Sequence, residues 1–379
     1  MGRTWFCCAV ASAWKKSLCG ECWQGVCRTY DYQWRQSRDL DCGGRHVYLE
    51  FQHRRVLCPR CGVKREHLPW LADNPRYTQR FVLSVGRRCR TSSVKDVAEE
   101  LDLHWGTVKD LDILYMQQQL KKAGPPAPTA IGIDELSIGP GHSYRIIVSD
   151  LIHKRAIWFG GADRSEASMN LFYASLTLEN RANIKLVVMD MWKPFRASAR
   201  CHVPHAQIIF DKFHILRHLG VALDEVRKSE YRRLQGDSRR YIKGQKYTLL
   251  TRRENLSQEG NAALELLFKA NQRLYKAYLL KEQFGQLWEC VTPEEAQRFF
   301  KKWQQALRWQ RLPSYQKFAA MIERHWDGIV SYCHPDNKVP LGFVEGFNNK
   351  IRSLQKRAYG FQDEEYLRLK ILTTNLPKL

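Results

Sequence analysis

Two apolar runs near the middle of this chain each stop on a carboxylate, a pattern that dictates a buried sheet with acids at its rim. Ala130-Ile-Gly-Ile leads directly into Asp134 and Glu135, and Leu186-Val-Val-Met leads into Asp190. Short β-branched runs of this kind read as strands covered on both faces. An acid at the carboxyl end of such a strand stands over the crevice where open α/β sheets bind their ligands. Pro194 then marks a helix start, so Asp190 also reads as a plain N-terminal cap. The strand alone leaves both readings open.

The surrounding sequence supplies a mixed sheet. Residues 143–151 (SYRIIVSDL) and 156–160 (AIWFG) read as strands, with His153 and Lys154 in the turn between them. A helix over 165–178 with Ser165 as its cap precedes the strand at Leu186, and a helix near 195–201 follows it. Residues 207–210 form another strand, ending on Asp211. Adjacent strands, a helix and a returning strand differ from the strict alternation of a doubly wound domain.

From about residue 215 to residue 335 the chain turns helical and basic. Leu264, Leu267, Phe268, Tyr275, Tyr278 and Leu279 keep helical spacing and belong to a core. Thr292-Pro-Glu-Glu295 is a capping box opening a further helix. Arg227, Lys228, Arg232, Arg233, Arg239, Arg240, Arg252 and Arg253 crowd this region and are expected to contact phosphate. A last helix carries an apolar face at Phe347, Ile351 and Leu354, while Glu345, Asn349, Arg352 and Lys356 line another, where Asn349, Arg352 and Lys356 are expected to contact DNA.

Upstream, Cys19-Gly-Glu-Cys22 and Cys58-Pro-Arg-Cys61 are two C-x₂-C knuckles. Four such thiolates suit tetrahedral zinc, with a hairpin between them that includes a strand at 47–51. The interval is long for a minimal ribbon, so Cys27, Cys42, His46, His53 or His67 could replace one ligand. Val94, Val97, Ala98 and Leu101, then Trp105, Val108 and Leu111, trace two short helices about a connection at Leu103. This reads as a helix-turn-helix with Ala98 at the close crossing and His104, Thr107, Lys109 and Asp110 toward the DNA groove. Residues 121–129, rich in proline, form a linker. The opening TWFCCAVASAW carries Ala11-Ser12-Ala13, which superficially resembles a signal cleavage site. The run is short and basic sequence follows, so it is expected to be a tail and the protein cytoplasmic.

Lys and Arg outnumber Asp and Glu by 61 to 39, a formal charge of +22. A surplus of that size calls for a polyanionic partner. No apolar run approaches the roughly 20 residues a spanning helix needs, which leaves double-stranded DNA rather than a membrane. Three acids, Asp134, Asp190 and Glu345, can together hold two divalent cations about 4 Å apart, as in-line phosphoryl transfer requires. Oxygen donors favour Mg2+ or Mn2+ there.

In order along the chain, GIDE at 132–135, VVMDMWKPF at 187–195, DKFHI at 211–215 and EGFNNKIRSLQKRAYGF at 345–361 resemble the ISL-three family of insertion-sequence transposases. The resemblance implies an α/β, RNase H-like mixed-sheet catalytic core with an all-α insertion, and Asp134, Asp190 and Glu345 as its DDE triad. It also implies a zinc ribbon and helix-turn-helix that bind terminal inverted repeats. Asp211 and His214 match a family motif and are possible accessory residues. The expected organisation is a tail (1–16), a zinc ribbon (17–70), a helix-turn-helix domain (75–120), a linker (121–129) and a transposase domain (130–379) with its insertion at about 215–335. A homo-oligomer in the DNA complex and association with the nucleoid follow from that reading. A non-catalytic repressor and a structure-specific nuclease are the competing functions.

Overall fold

The computed structural model describes residues 5–10, 16–139, 143–235, 239, 242–358 and 362–379. Ala11–Ala13 and Arg240 lie outside them. The chain divides into two compact units, one of residues 1–124 with 353–379 and one of residues 125–352.

The first unit begins with a sheet of β1 (Trp5–Val10), β2 (Ser17–Cys19), β3 (Gly25–Val26), β4 (Thr29–Cys42), β5 (Arg45–Cys58) and β6 (Gly62–His67). Residues 5–10, expected as part of a tail, instead run parallel to β5. β-Branched and aromatic residues that can pair with an open strand edge do so. β4 and β5 form a long antiparallel hairpin turning at Gly43 and Gly44, both with positive φ. That turn geometry favours glycine. The hairpin accounts for the long interval between the cysteine knuckles.

Three helices follow: α1 (Gln79–Cys89), α2 (Val94–Leu101) and α3 (Trp105–Ala123). Ser93 and Asp96 form a reciprocal capping box at the start of α2. Val97, Ala98, Leu101, Val108 and Leu111 are buried with Phe81, Val82 and Val85 of α1. Trp105, expected in this core, is 57% exposed, because it opens α3 at the free end of the helix. The tightest approach is made by Gly86 of α1, where an added Cβ would stand 2.1 Å from the Tyr115 ring. α3 runs on through the first residues of the expected linker and ends at Gly124.

The second unit is built on a five-stranded mixed sheet of β7 (Ala130–Gly139), β8 (Ser143–Asp150), β9 (Arg155–Gly160), β10 (Leu186–Met189) and β11 (Gln207–Phe210). Its order is β11-β10-β7-β8-β9. β7, β8 and β9 are antiparallel, whereas β10 runs parallel to both β7 and β11. All four residues of β10 are buried, as a central parallel strand demands. β7 does not stop at Asp134; it continues to Gly139 because β8 is long enough to pair with it. The helix expected over 165–178 is two pieces, α4 (Glu166–Ala174), capped by Ser165, and α5 (Leu178–Ala182), capped by Thr177. α6 (Lys193–His202) starts at the expected proline.

The helical region comprises α7 (Lys212–Arg233), α8 (Lys246–Leu250), α9 (Gln258–Ala270), α10 (Gln272–Phe284), α11 (Pro293–Arg308), α12 (Pro313–Arg324) and α13 (Trp326–Val330). Its core joins that of the sheet. α14 (Gly342–Arg357) carries the chain back to the first unit, where α15 (Glu364–Thr373) packs on α3. There Tyr366 and Lys370 both bind the buried Asp112 carboxylate. No helix among the described residues is long and apolar enough to cross a membrane.

Candidate active site

Strand register brings the acids together. β10 pairs with β7 as Val188 to Gly132, and with β11 as Met189 to Phe210. Extending both registers sets Asp134, Asp190 and Asp211 in one row across three adjacent parallel strands. Neighbouring strands lie about 4.8 Å apart, so three carboxylates share a narrow strip.

His214, in the first turn of α7, lies within this strip. Its Nδ1 is 3.3 Å from Asp190 Oδ2 and its Nε2 is 3.9 Å from Asp134 Oδ1. Burial alone would lower the imidazole pKa, but the carboxylates of Asp190, Asp134 and Asp211 override it and raise it to about 9. Burial would likewise raise Asp190, yet His214 and the Met191 N–H hold it below the ordinary value. Asp134 is buried more deeply and its pKa is raised, despite a hydrogen bond from the Glu135 N–H at 2.8 Å. Asp211 is pushed up to about 6 by burial, and its Oδ1 accepts the Phe213 N–H at 3.0 Å as the cap of α7.

α14 supplies the remaining groups. Glu345 sits in its first turn, and burial raises its pKa while Arg352 opposes the shift. Its charge acts on Asp211, and the charges of Asp134 and His214 act on it. Asn348, one turn further on, donates its amide to Asp134 Oδ2, leaving its own Oδ1 buried without a partner among the described residues. Sequence patterning missed Asn348 because it lies on the apolar side with Val344, Phe347 and Ile351. The available signal was its spacing of three from Glu345. Gly132 lets this helix approach: a Cβ there would meet Val344 Cγ2 at 2.6 Å and Leu151 Cδ2 at 2.9 Å. Asn349 and Arg352 are exposed, and Arg352 donates to Asn349 Oδ1 at 2.8 Å. Lys356 is exposed too.

The first unit holds a second cluster. Cys19, Cys22, Cys58 and Cys61 have sulfur atoms all within 4.8 Å of one another. Backbone N–H groups of Arg60 and Cys61 lower the Cys58 thiol to about 7, whereas Cys22 pushes Cys61 up to about 12. Such a quartet is compatible with a zinc ribbon. None of the alternatives, Cys27, Cys42, His46, His53 or His67, belongs to that group: His46 bonds Arg38 and Asp41, His53 bonds the Glu66 carbonyl, the His67 ring packs on Trp23, and Cys27 and Cys42 are exposed.

Of the residues expected to face DNA, His104 caps α3 by accepting the Gly106 N–H, and Thr107 is half-buried. The Lys109 ammonium is held by Asp363 at 2.7 Å. Much of the basic run is also engaged within the second unit. Arg227 and Lys228 pair with Asp224, Arg233 with Glu230, Arg252 with Glu254 and Arg253 with Glu265.

Comparison with known proteins bears on both units. A family model for the ISL3 DDE domain, described as a transposase, matches residues 131–371. A model described as the helix-turn-helix domain of transposase family ISL3 matches residues 66–113. The transposase for insertion sequence element IS1001 of Bordetella parapertussis is 31% identical over 362 residues, covering 94% of this chain and 88% of the relative. The transposase for insertion sequence element IS1557 of Mycobacterium tuberculosis is 29% identical over 359 residues, covering 88% and 80%. The chain therefore belongs to the ISL3 family of insertion-sequence transposases, with a helix-turn-helix DNA-binding domain and a DDE transposase domain.

Proposed function

We propose that this transposase binds the terminal inverted repeats of its element and carries out metal-dependent DNA strand cleavage and strand transfer. The observation that carries the reading is the convergence of Asp134 and Asp190 on His214, with Glu345 and Asn348 entering from one helix. Asp134, Asp190 and Glu345 would hold Mg2+ or Mn2+, since the donors are hard carboxylate oxygens and the buried Asn348 Oδ1 beside them lacks a partner among the described residues. When bound, such cations activate the attacking oxygen and stabilise the leaving one.

The chain's own residues prepare the site. The Asn348 amide fixes the orientation of Asp134, and the Met191 N–H fixes that of Asp190. His214 keeps a proton between the two carboxylates and offsets their repulsion. The strand order, three antiparallel strands followed by two parallel ones, supports an RNase H-like reading of the core. The four cysteines would hold Zn2+ and stiffen the ribbon that, with α1 to α3, engages the ends. Two ends joined in one reaction favour a homo-oligomer on DNA, working in the cytoplasm at the nucleoid.

Incubation of pre-cut element ends with a supercoiled target and Mg2+ tests the reading. Covalently joined ends are expected. Hydrolysis without joining would leave a nuclease, and binding without either product would leave a repressor.

A further inference from the structure

Two side chains in the motifs around the acids, Glu135 and Trp192, have no part in the proposed triad, and both converge on Arg164. Arg164 NH1 donates to Glu135 Oε1 at 2.9 Å. Its guanidinium carbon lies 4.8 Å from the centroid of the Tyr144 ring and 4.9 Å from that of Trp192. The Trp192 indole N–H returns a hydrogen bond of 2.9 Å to the Arg164 carbonyl. The backbone carrying Arg164 is fixed as well. Gly161 adopts φ +81°, Ser168 Oγ accepts the N–H groups of Ala162 and Asp163, and Asp163 Oδ1 accepts from Ser165 N and Ser168 Oγ.

An exposed ion pair alone does not call for that much scaffolding, since it contributes little to stability. The arrangement holds a planar fork in place. One amine meets Glu135, while the other N–H groups of Arg164 have no protein partner among the described residues, and its side chain is 37% exposed. Glu135 follows Asp134 on β7, with its side chain on the opposite face of that strand, and Trp192 lies two residues after Asp190, so the fork is tied to both segments that carry the acids. A site this rich in carboxylate repels a DNA strand, and a fixed guanidinium is suited to bind a phosphodiester bidentately against that repulsion.

We propose that Arg164, held by Glu135, Tyr144 and Trp192, is a binding site for one backbone phosphate of the DNA strand presented to the acids. This rests on the proposed DNA strand chemistry at those acids. The test is end binding in EDTA, which needs no cleavage, using duplexes that carry a single neutral methylphosphonate at successive positions about the scissile bond. Wild-type protein is expected to lose about tenfold in affinity at one position. Arg164→Gln should bind the unmodified end about tenfold more weakly, lower the salt slope by about one, and lose nothing further at that position. Arg164→Lys, which keeps the charge without the fork, should fall between them, and it carries the test alone if Arg164→Gln fails to fold. Wild-type affinity in a folded Arg164→Gln, or an unchanged interference pattern in either variant, would overturn the assignment. A parallel Asp190→Asn protein that still cleaves would instead overturn the acid chemistry, so the two failures are distinguishable.

Discussion

Asp134, Asp190 and Asp211 share one row of the sheet, and their surroundings divide their roles. Asp211 is nearly fully buried and caps α7, with a pKa near 6. Asp190 is half-buried and kept ionised, as a cation ligand must be. Asparagine is as good a helix cap as aspartate but a poor substitute for a carboxylate ligand. Asp190→Asn is therefore expected to reduce single-turnover cleavage by at least about a thousandfold while end affinity changes by less than about threefold. Asp211→Asn should keep both cleavage and melting temperature near wild type. The comparison is made on gel-resolved cleavage of a labelled end duplex. Equal losses in the two variants would assign Asp211 to the cation site, and no loss in Asp190→Asn would remove Asp190 from it.

Elements that present a side-chain pattern were legible from sequence; contacts made by missing side chains were not. The runs at Ile131 and Val187 announced β7 and β10, and the capping residues Ser165 and Thr292 marked real helix starts. Gly132 and Gly86, which permit close helix contacts, carry no periodic signal because their contribution is an absent Cβ. The docking of α15 on α3 was equally hidden, since neither helix reveals its partner and the Asp112–Lys370 pair spans most of the chain. In the candidate site, Asp134 and Asp190 were visible as acids following apolar runs, whereas Glu345, by itself a favourable charge at a helix start, gained meaning only beside those two aspartates. Asn348 is buried among apolar neighbours of its helix and was not singled out. Gly132→Val tests the helix contact. Overpacking against Val344 should destabilise the second unit by about 1–3 kcal/mol and shift the helix that carries Glu345. A lower melting temperature with a proportionally larger fall in cleavage is expected; wild-type values for both would show that α14 does not depend on this close approach.

For the molecule as a whole, the +22 charge fits a DNA partner, and within the basic run Arg227, Lys228, Arg233, Arg252 and Arg253 each have an acidic neighbour that a phosphate would have to compete with. Overall binding should still weaken linearly in a log–log plot against salt, because counterions are released from DNA. Fluorescence anisotropy on an end duplex measures this, and a flat response would exclude phosphate contact as the main source of affinity. The division into two units makes a sharper demand. All four clustered cysteines belong to the first unit, and the acids belong to the second. Loss of a structural zinc should therefore disable recognition of the end without unfolding the catalytic unit. Cys58 is the informative position, being buried with its thiol lowered to about 7 by backbone N–H groups. Cys58→Ser is expected to lower bound zinc from about one per chain toward none, because thiolates dominate such sites. End affinity should fall at least about tenfold through loss of the ordered ribbon. The melting transition of the second unit, followed through hydrogen exchange of β7 and β10 amides, should remain at its wild-type temperature. Full zinc occupancy in the variant would exclude Cys58 as a ligand. A common shift in both units would show that the ribbon stabilises the whole chain rather than its own unit.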